Sequence, residues 1–167
     1  TLTTAVATAE AINQNLWHNH GQAQLDRATQ LQCRIKWPND ILLNGKKLAG
    51  ILVEKKTVKR QHQFIVGIGI NCNQPAEFFQ KHDLHMPATS LAIETGRVID
   101  RTELVCILLD KFEQWLNKAN CQSSIINHQS PVIARWQQLS DLLGHHVTLE
   151  SDNHKYSGFC RGIDPAE

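Results

Sequence analysis

The chain has 167 residues, 41% of them apolar, enough for one domain with an ordinary core plus part of a second. Seventeen basic against sixteen acidic residues leave a formal charge of +1, so no global field favours nucleic acid or an anionic membrane, and an anionic ligand must be held locally. No apolar run approaches the ~20 residues that span a bilayer, and the five cysteines (Cys33, Cys72, Cys106, Cys121, Cys160) form no C-x-x-C pair, which points to free thiols in a reducing cytoplasm rather than to disulfides or zinc.

The amino end has neither the basic start nor the apolar stretch of a secretory signal, and its opening at Thr1, just before a helical pattern, suggests a fragment. Residues 4–17 carry Val6, Ala9, Ile12 and Leu16 at helical spacing, which predicts a packing helix with Gly21 as its stop. The HNH triplet at 18–20 has the letters of a nuclease motif, but adjacent residues at a helix end do not provide the separated ligands of a metal site. "LQCRIKW" alternates Leu31, Cys33, Ile35 and Trp37 on one face, a half-buried strand that must stop at Pro38, with Asn39 and Asp40 at its end.

"ILL" and "KLAGILVE" flank Asn44-Gly45, the pair best suited to a type I′ hairpin turn. A regular register pairs Leu43 with Lys46, Leu42 with Lys47, Ile41 with Leu48 and Asp40 with Ala49. Asp40, Leu42, Lys47 and Ala49 then share a face, with Asp40 and Lys47 as diagonal neighbours roughly 7 to 8 Å apart. Spacing alone leaves two readings open: a pair of solvated turn lysines, or Lys47 and Asp40 addressing one ligand.

"EKKTVKRQHQ" reads as a charged, exposed connection, and "FIVGIGINCN" as a strand. Phe64, Val66, Ile68 and Ile70 face one way; Ile65, Gly67, Gly69 and Asn71 face the other. Glycines inside a strand mark a close approach, either of a ligand or of a bulky neighbour. A polar, histidine-bearing loop runs to about Pro87. "TSLAIETG" predicts a short helix closed by Gly96, and "DRTE" at 100–103 is a capping box opening a helix through Leu104, Leu108, Phe112 and Leu116. Ser130-Pro131 opens a third helix, with Val132, Trp136, Leu139 and Leu143 on one side and Gly144 as terminator. "HVTLE" and "YSGFCRGID" predict two short strands, too few to stand alone.

Lys36 to Asp40 (K-W-P-N-D), Lys47 to Glu54 (K-L-A-G-I-L-V-E) and Gly67 to Asn71 (G-I-G-I-N), followed by "ATSL" at 88–91 and "RW" at 135–136, resemble the central catalytic domain of biotin protein ligases. The resemblance covers essentially the whole chain. It implies an α+β fold, a mixed β-sheet flanked by helices of the biotin/lipoate ligase type and related to class II aminoacyl-tRNA synthetases. It further implies a catalytic domain at 1–143 lacking its N-terminal part, and the start of a C-terminal SH3-like β-barrel at 144–167.

The implied reaction joins biotin and MgATP to give biotinyl-5′-adenylate and pyrophosphate, then transfers biotin to a lysine of a biotin carboxyl carrier protein domain. The resemblance assigns the essential contact with the biotin carboxyl and the α-phosphate to Lys47. It assigns Asn39 and Asp40 to the nucleotide side, with Asp40 orienting ATP or Mg²⁺ or the target lysine, and the walls of the biotin slot to Gly50, Leu52, Gly67 and Gly69. Asn71 falls to the adenine or ribose, and Lys36 to a phosphate contact or, by preference, to solvent. A protein-built metal site is not implied, and a homodimer is compatible with the family. Some members carry an amino-terminal DNA-binding repressor domain, on which these residues do not bear.

A complete ligase also carries, upstream, a biotin-recognition segment and a Gly/Arg-rich loop over the phosphates. Neither precedes the first helix here, and losing one comparable donor costs about 10² to 10³ in rate. The expectation is that this chain alone adenylates poorly; a non-catalytic biotin-binding or dimerising fragment, or a lipoate or other acyl ligase, are the competing readings.

Overall fold

The structure, a computed structural model, describes residues 1–18, 31–81, 84–121, 130–151 and 154–162. The expected stop at Gly21, most of the HNH triplet and the turn at 152–153 lie outside them.

Helix α1 (Leu2–His18) is the centre of the fold. The expected stripe is fully buried at Val6, Ala9, Ile12 and Leu16, and burial extends around the helix to Ala5, Ala7, Thr8, Ala11, Asn13 and Asn15. The reason is tertiary: α1 packs between a sheet on one side and two later helices on the other, so alanines and small polar residues that look solvent-facing by period are covered. Two of the buried polar side chains find partners on site: Thr8 Oγ1 donates to the Thr4 carbonyl at 2.8 Å, and Asn13 Oδ1 accepts from the Cys33 amide at 2.8 Å.

The sheet has the order β1-β2-β3-β4, from Arg34–Lys36, Asp40–Leu43, Lys46–Val58 and Gln61–Ile70. All four strands pair antiparallel, because each meets the next through a tight turn; parallel pairing among the described residues is confined to two isolated bridges, Ile35 with Ser140 and Lys47 with Ala88. Ile35, Ile41, Leu43, Ala49 and Ile51 turn into the core against α1. Trp37, expected on that inward face, is 46% exposed, since the strand ends one residue earlier and Pro38 opens a turn.

The charged stretch expected to connect two strands is itself strand. β3 and β4 remain paired from Ala49–Ile70 out to Val58–Gln61, and the connection shrinks to Lys59 and Arg60, at φ 48° and 69°. Two positive φ values in a two-residue loop match the twist of a hairpin, which the sequence hides by using no glycine or asparagine there.

Helix α2 (Ala76–Gln80) occupies part of the expected polar loop. α3 (Leu91–Thr95) is capped by Ser90 and closed by Gly96 at φ 72°, as read from sequence. α4 (Arg101–Asn120) opens on Asp100, whose carboxylate accepts from the Thr102 and Glu103 amides. Its buried anchors are Leu104 and Trp115, whereas Leu116 is 39% exposed; Trp115 takes the core position because its indole N–H reaches Glu10 of α1 at 3.0 Å. α5 (Pro131–Leu139) buries Val132, Trp136 and Leu139 but stops before Leu143 and Gly144: the Ser140 amide caps onto the Gln137 carbonyl, and the chain then bridges to β1. Gly144, at φ 81°, instead turns the chain into the β5–β6 hairpin (His146–Ser151 and His154–Phe159). None of the five cysteines, all among the described residues, is in a disulfide; Cys33 and Cys72 are buried, but Cys106 and Cys121 are exposed on or beside α4 rather than in the core.

Candidate functional site

The hairpin at Asn44-Gly45 forms as expected, with Leu43 opposite Lys46 and Leu42 opposite Lys47, but the register then shifts: Ile41 pairs with Ala49 and Asp40 with Gly50. Leu48 is the extra residue of a β-bulge, and it is buried with the core. Without the bulge, strict alternation would separate Lys47 from Gly50 and Leu52. With it, Asp40, Lys47, Gly50, Leu52, Gly67 and Gly69 all lie on the face of the sheet that points away from α1.

On that face Lys47 Nζ stands 2.6 Å from Asp40 Oδ1. The approach is off the hydrogen-bonding direction, so the contact is an ion pair rather than an aligned hydrogen bond. The lysine side chain is 39% exposed and the aspartate 17%, so the ammonium is reachable from outside while the carboxylate sits behind it. A Cβ on Gly50 would lie 3.5 Å from Lys47 Cε and 3.6 Å from Nζ, which shows the lysine lying directly over the glycine. Gly69 is next across the sheet, and a Cβ there would meet nothing nearer than the Gly50 carbonyl at 4.0 Å.

A cavity of about 320 Å³ opens over this floor, lined by Lys47, Gly50, Gly69 and Asn71 from the sheet and by Phe78, Phe79, Leu84, His85, Met86 and Ala88 from the segment beyond it. The size is that of a small-molecule site, apolar walls with a few polar groups. The aromatic and apolar wall was missed in the sequence; the signal was there, as "FF" and "LHMP" inside a loop otherwise polar. Leu52 and Gly67 pair with each other farther along the same face, outside this cavity, and Leu52 is 61% exposed. Asn39 is also outside: its Nδ2 donates to the Ile51 carbonyl at 2.9 Å and its own carbonyl accepts from the Ile51 amide at 2.9 Å, bracing β3 where Asp40 projects. Lys36 stands opposite Asp40 on β1, half-buried.

Lys46 is exposed, as a turn lysine should be, but it also has a partner. Its Nζ lies 3.2 Å from Glu94 Oε1, and the same carboxylate accepts from Thr89 Oγ1 and Asn44 Nδ2, each at 2.6 Å. Burial would push the Glu94 carboxyl up, but the hydrogen bonds from Thr89, Asn44 and Lys46 hold it below the ordinary carboxylate value. Lys47 keeps its backbone in a second bridge, its amide donating to the Pro87 carbonyl at 2.8 Å and its carbonyl accepting from the Thr89 amide at 3.0 Å.

The sequence pattern of the biotin/lipoate A/B protein ligase family matches residues 1–71. The bifunctional ligase/repressor BirA of Bacillus subtilis is 34% identical over 141 residues, which cover 84% of this chain and 42% of that protein. A biotin–[acetyl-CoA-carboxylase] ligase of Paracoccus denitrificans is 30% identical over 131 residues, 78% of this chain and 52% of that protein. The structure of the biotin protein ligase from Aquifex aeolicus in complex with biotin and ATP superposes with a TM-score of 0.67 at 26% identity, over 98% of this chain and 61% of that one. The chain therefore spans about half or less of the length of these curated relatives.

Proposed function

Because the chain belongs to the biotin protein ligase family, we propose that it contributes the catalytic lysine and sheet floor of an ATP-dependent ligase. That enzyme adenylates biotin and transfers it to a lysine of a biotin carboxyl carrier protein domain of a carboxylase. The observation that carries the reading is the reachable Lys47 ammonium lying over Gly50 and beside Gly69, at the mouth of a cavity of ligand size.

In the first step a biotin carboxylate oxygen attacks the α-phosphorus and pyrophosphate leaves; two anions must approach, and charge grows on the phosphoryl oxygens. An ammonium about 4 Å from each anionic oxygen is worth roughly 4 kcal/mol at an effective dielectric near 20. Asp40 holds Lys47 Nζ over the floor until the substrates take its place. In the second step the carrier lysine attacks the acyl carbon, AMP leaves, and the amine gives up a proton, for which the Asp40 carboxylate is the near acceptor. Gly50 and Gly69 admit a fused ring close to the backbone, Leu52 and Gly67 extend that surface, and Asn71 with the Phe78–Phe79 wall faces the nucleotide.

Mg²⁺ supplies charge neutralisation to the polyphosphate. The described residues gather no group of three His, Cys, Asp or Glu side chains around a metal position, so phosphate oxygens and at most Asp40 would hold it. Lys47 is the one lysine or arginine among the described residues lining the cavity, a weak set for a triphosphate, which supports slow turnover by this chain alone. We place the end of the catalytic part near Gly144, with β5 and β6 as the first strands of an SH3-like barrel and the sheet as part of a class II synthetase-like fold.

The test is biotin-dependent exchange of labelled pyrophosphate into ATP, beside calorimetric titration with biotin and with lipoate. Exchange supported by biotin and not by lipoate is the expected result. Tighter binding of lipoate, or biotin binding without any exchange in a protein retaining Lys47, would overturn it.

A further inference from the structure

We infer that Glu94 is a positioning residue for Lys47, acting through the hairpin turn and the segment from Pro87 to Thr89. What Lys47 does rests on the ligase reading; how it is held does not.

Lys47 is fixed on two sides. Leu42 pairs with it across the hairpin, and Pro87 and Thr89 take its backbone amide and carbonyl on the other side. That second partner is a single isolated bridge, not a strand, yet it carries Ala88 into the cavity wall beside Lys47. One bridge does not hold a segment by itself. Glu94 completes the attachment: its Oε1 takes the Thr89 hydroxyl and the Lys46 ammonium, and its Oε2 takes the Asn44 amide. Side chains from the turn and from the bridging segment thus converge on one carboxylate that is 9% exposed, closing a ring from Lys46 through Glu94 and Thr89 back to Lys47. The carboxylate itself is set by the short helix α3, fixed by Ser90 at one end and by left-handed Gly96 at the other.

Lys46 offers only N–H donors and shares Oε1 with the Thr89 hydroxyl, so that oxygen must accept. Glutamine removes the charge that Lys46 meets, and its NH₂ finds a partner on the turn only when the Asn44 amide turns over. The Lys47 ammonium is paired with Asp40 and not with any of the three partners of Glu94, so the effect must pass through the backbone. A misplacement of about 1 Å at a reacting group is worth about 10²-fold in rate.

The experiment compares the protein with its Glu94→Gln and Thr89→Val variants. Amide hydrogen exchange at Lys47 and Thr89 is expected to quicken at least ~10-fold in Glu94→Gln, with the Trp115 amide of α4 unchanged. Unaltered exchange at Lys47 and Thr89 overturns the proposal. In pyrophosphate exchange, Glu94→Gln is expected to lower kcat by about 10-fold with biotin affinity within about 2-fold, and to add nothing in a Lys47→Ala background. A loss that multiplies onto Lys47→Ala places Glu94 elsewhere in the reaction and overturns it. Thr89→Val removes one contact, and gives the same pattern at about 3-fold should Glu94→Gln not fold. The hydrogen-exchange arm needs no catalysis, so a protein without pyrophosphate exchange would sink the ligase reading and still leave this proposal decided.

Discussion

Replacing Lys47 by alanine separates what the ammonium does for the fold from what it does for the reaction. In the free protein its partner is Asp40, 2.6 Å away, but the lysine is 39% exposed, and a pair open to water on one side contributes about 1 kcal/mol or less. For a chain of this size that corresponds to roughly 2–4 °C in Tm. In the reaction proposed above the same group would face two anions, each worth roughly 4 kcal/mol at 4 Å and an effective dielectric near 20. Losing even one of those contacts is about a 10³-fold fall in rate. Lys47→Ala should therefore leave a cooperative thermal transition within a few degrees of the parent and reduce biotin-dependent pyrophosphate exchange by about 10³. Lys46→Ala removes a single contact at 3.2 Å and leaves Thr89 and Asn44 on Glu94, so a few-fold loss is expected. Lys47→Ala retaining a tenth or more of the parent rate, or a Lys46→Ala variant slower than Lys47→Ala, would refute the reasoning.

Gly69→Val should leave Tm within about 2 °C, because nothing but the Gly50 carbonyl lies within 4.0 Å of its Cβ and valine suits a strand, yet raise the calorimetric Kd for biotin at least ~10-fold by filling the floor. Burial pushes the Cys33 thiol far above its ordinary value, while Cys106 and Cys121 are exposed; native alkylation followed by mass mapping should modify the latter two and spare Cys33. The linkage follows in sign: the raised folded value keeps Cys33 neutral while the unfolded thiol ionises, so stability present below about pH 8.5 declines above it. Substituting alanine for Cys33 should flatten that alkaline limb in urea titrations at pH 8 and pH 10. At the β3–β4 turn, Arg60→Gly relieves a residue held at φ 69° and should raise the urea midpoint by the equivalent of about 1 kcal/mol, with no change in biotin affinity.

Much of the site was legible because it is local. Asn44-Gly45 specifies a turn by its backbone preferences, Pro38 stops β1, and the alternation of glycine with isoleucine in β4 leaves one face bare. These placed Lys47 near Asp40 and opposite Gly67 and Gly69. The bulge was not legible: Leu48 and Ala49 are both apolar, and nothing in their spacing states that both are buried. Yet that single extra residue puts Lys47 on the face of Gly50 and Leu52 rather than the face of Ala49. Asn39 shows a related failure, an amide beside Asp40 whose donor is taken by the backbone of β3.

What the sequence determined by itself was the kind of most elements, since capping residues, turn dipeptides and period act over a few positions; the role proposed for Lys47 came from the family resemblance. The tertiary structure decided partners. It made α1 a helix buried on nearly every side, put Trp115 rather than Leu116 in the core, and gave the exposed Lys46 the Glu94 carboxylate 48 residues away as a partner. It also brought Phe78, Phe79 and the segment from Leu84 to Ala88 over the glycines as a wall. Such contacts depend on which surfaces the whole chain can bury together, and a local pattern holds no information about that.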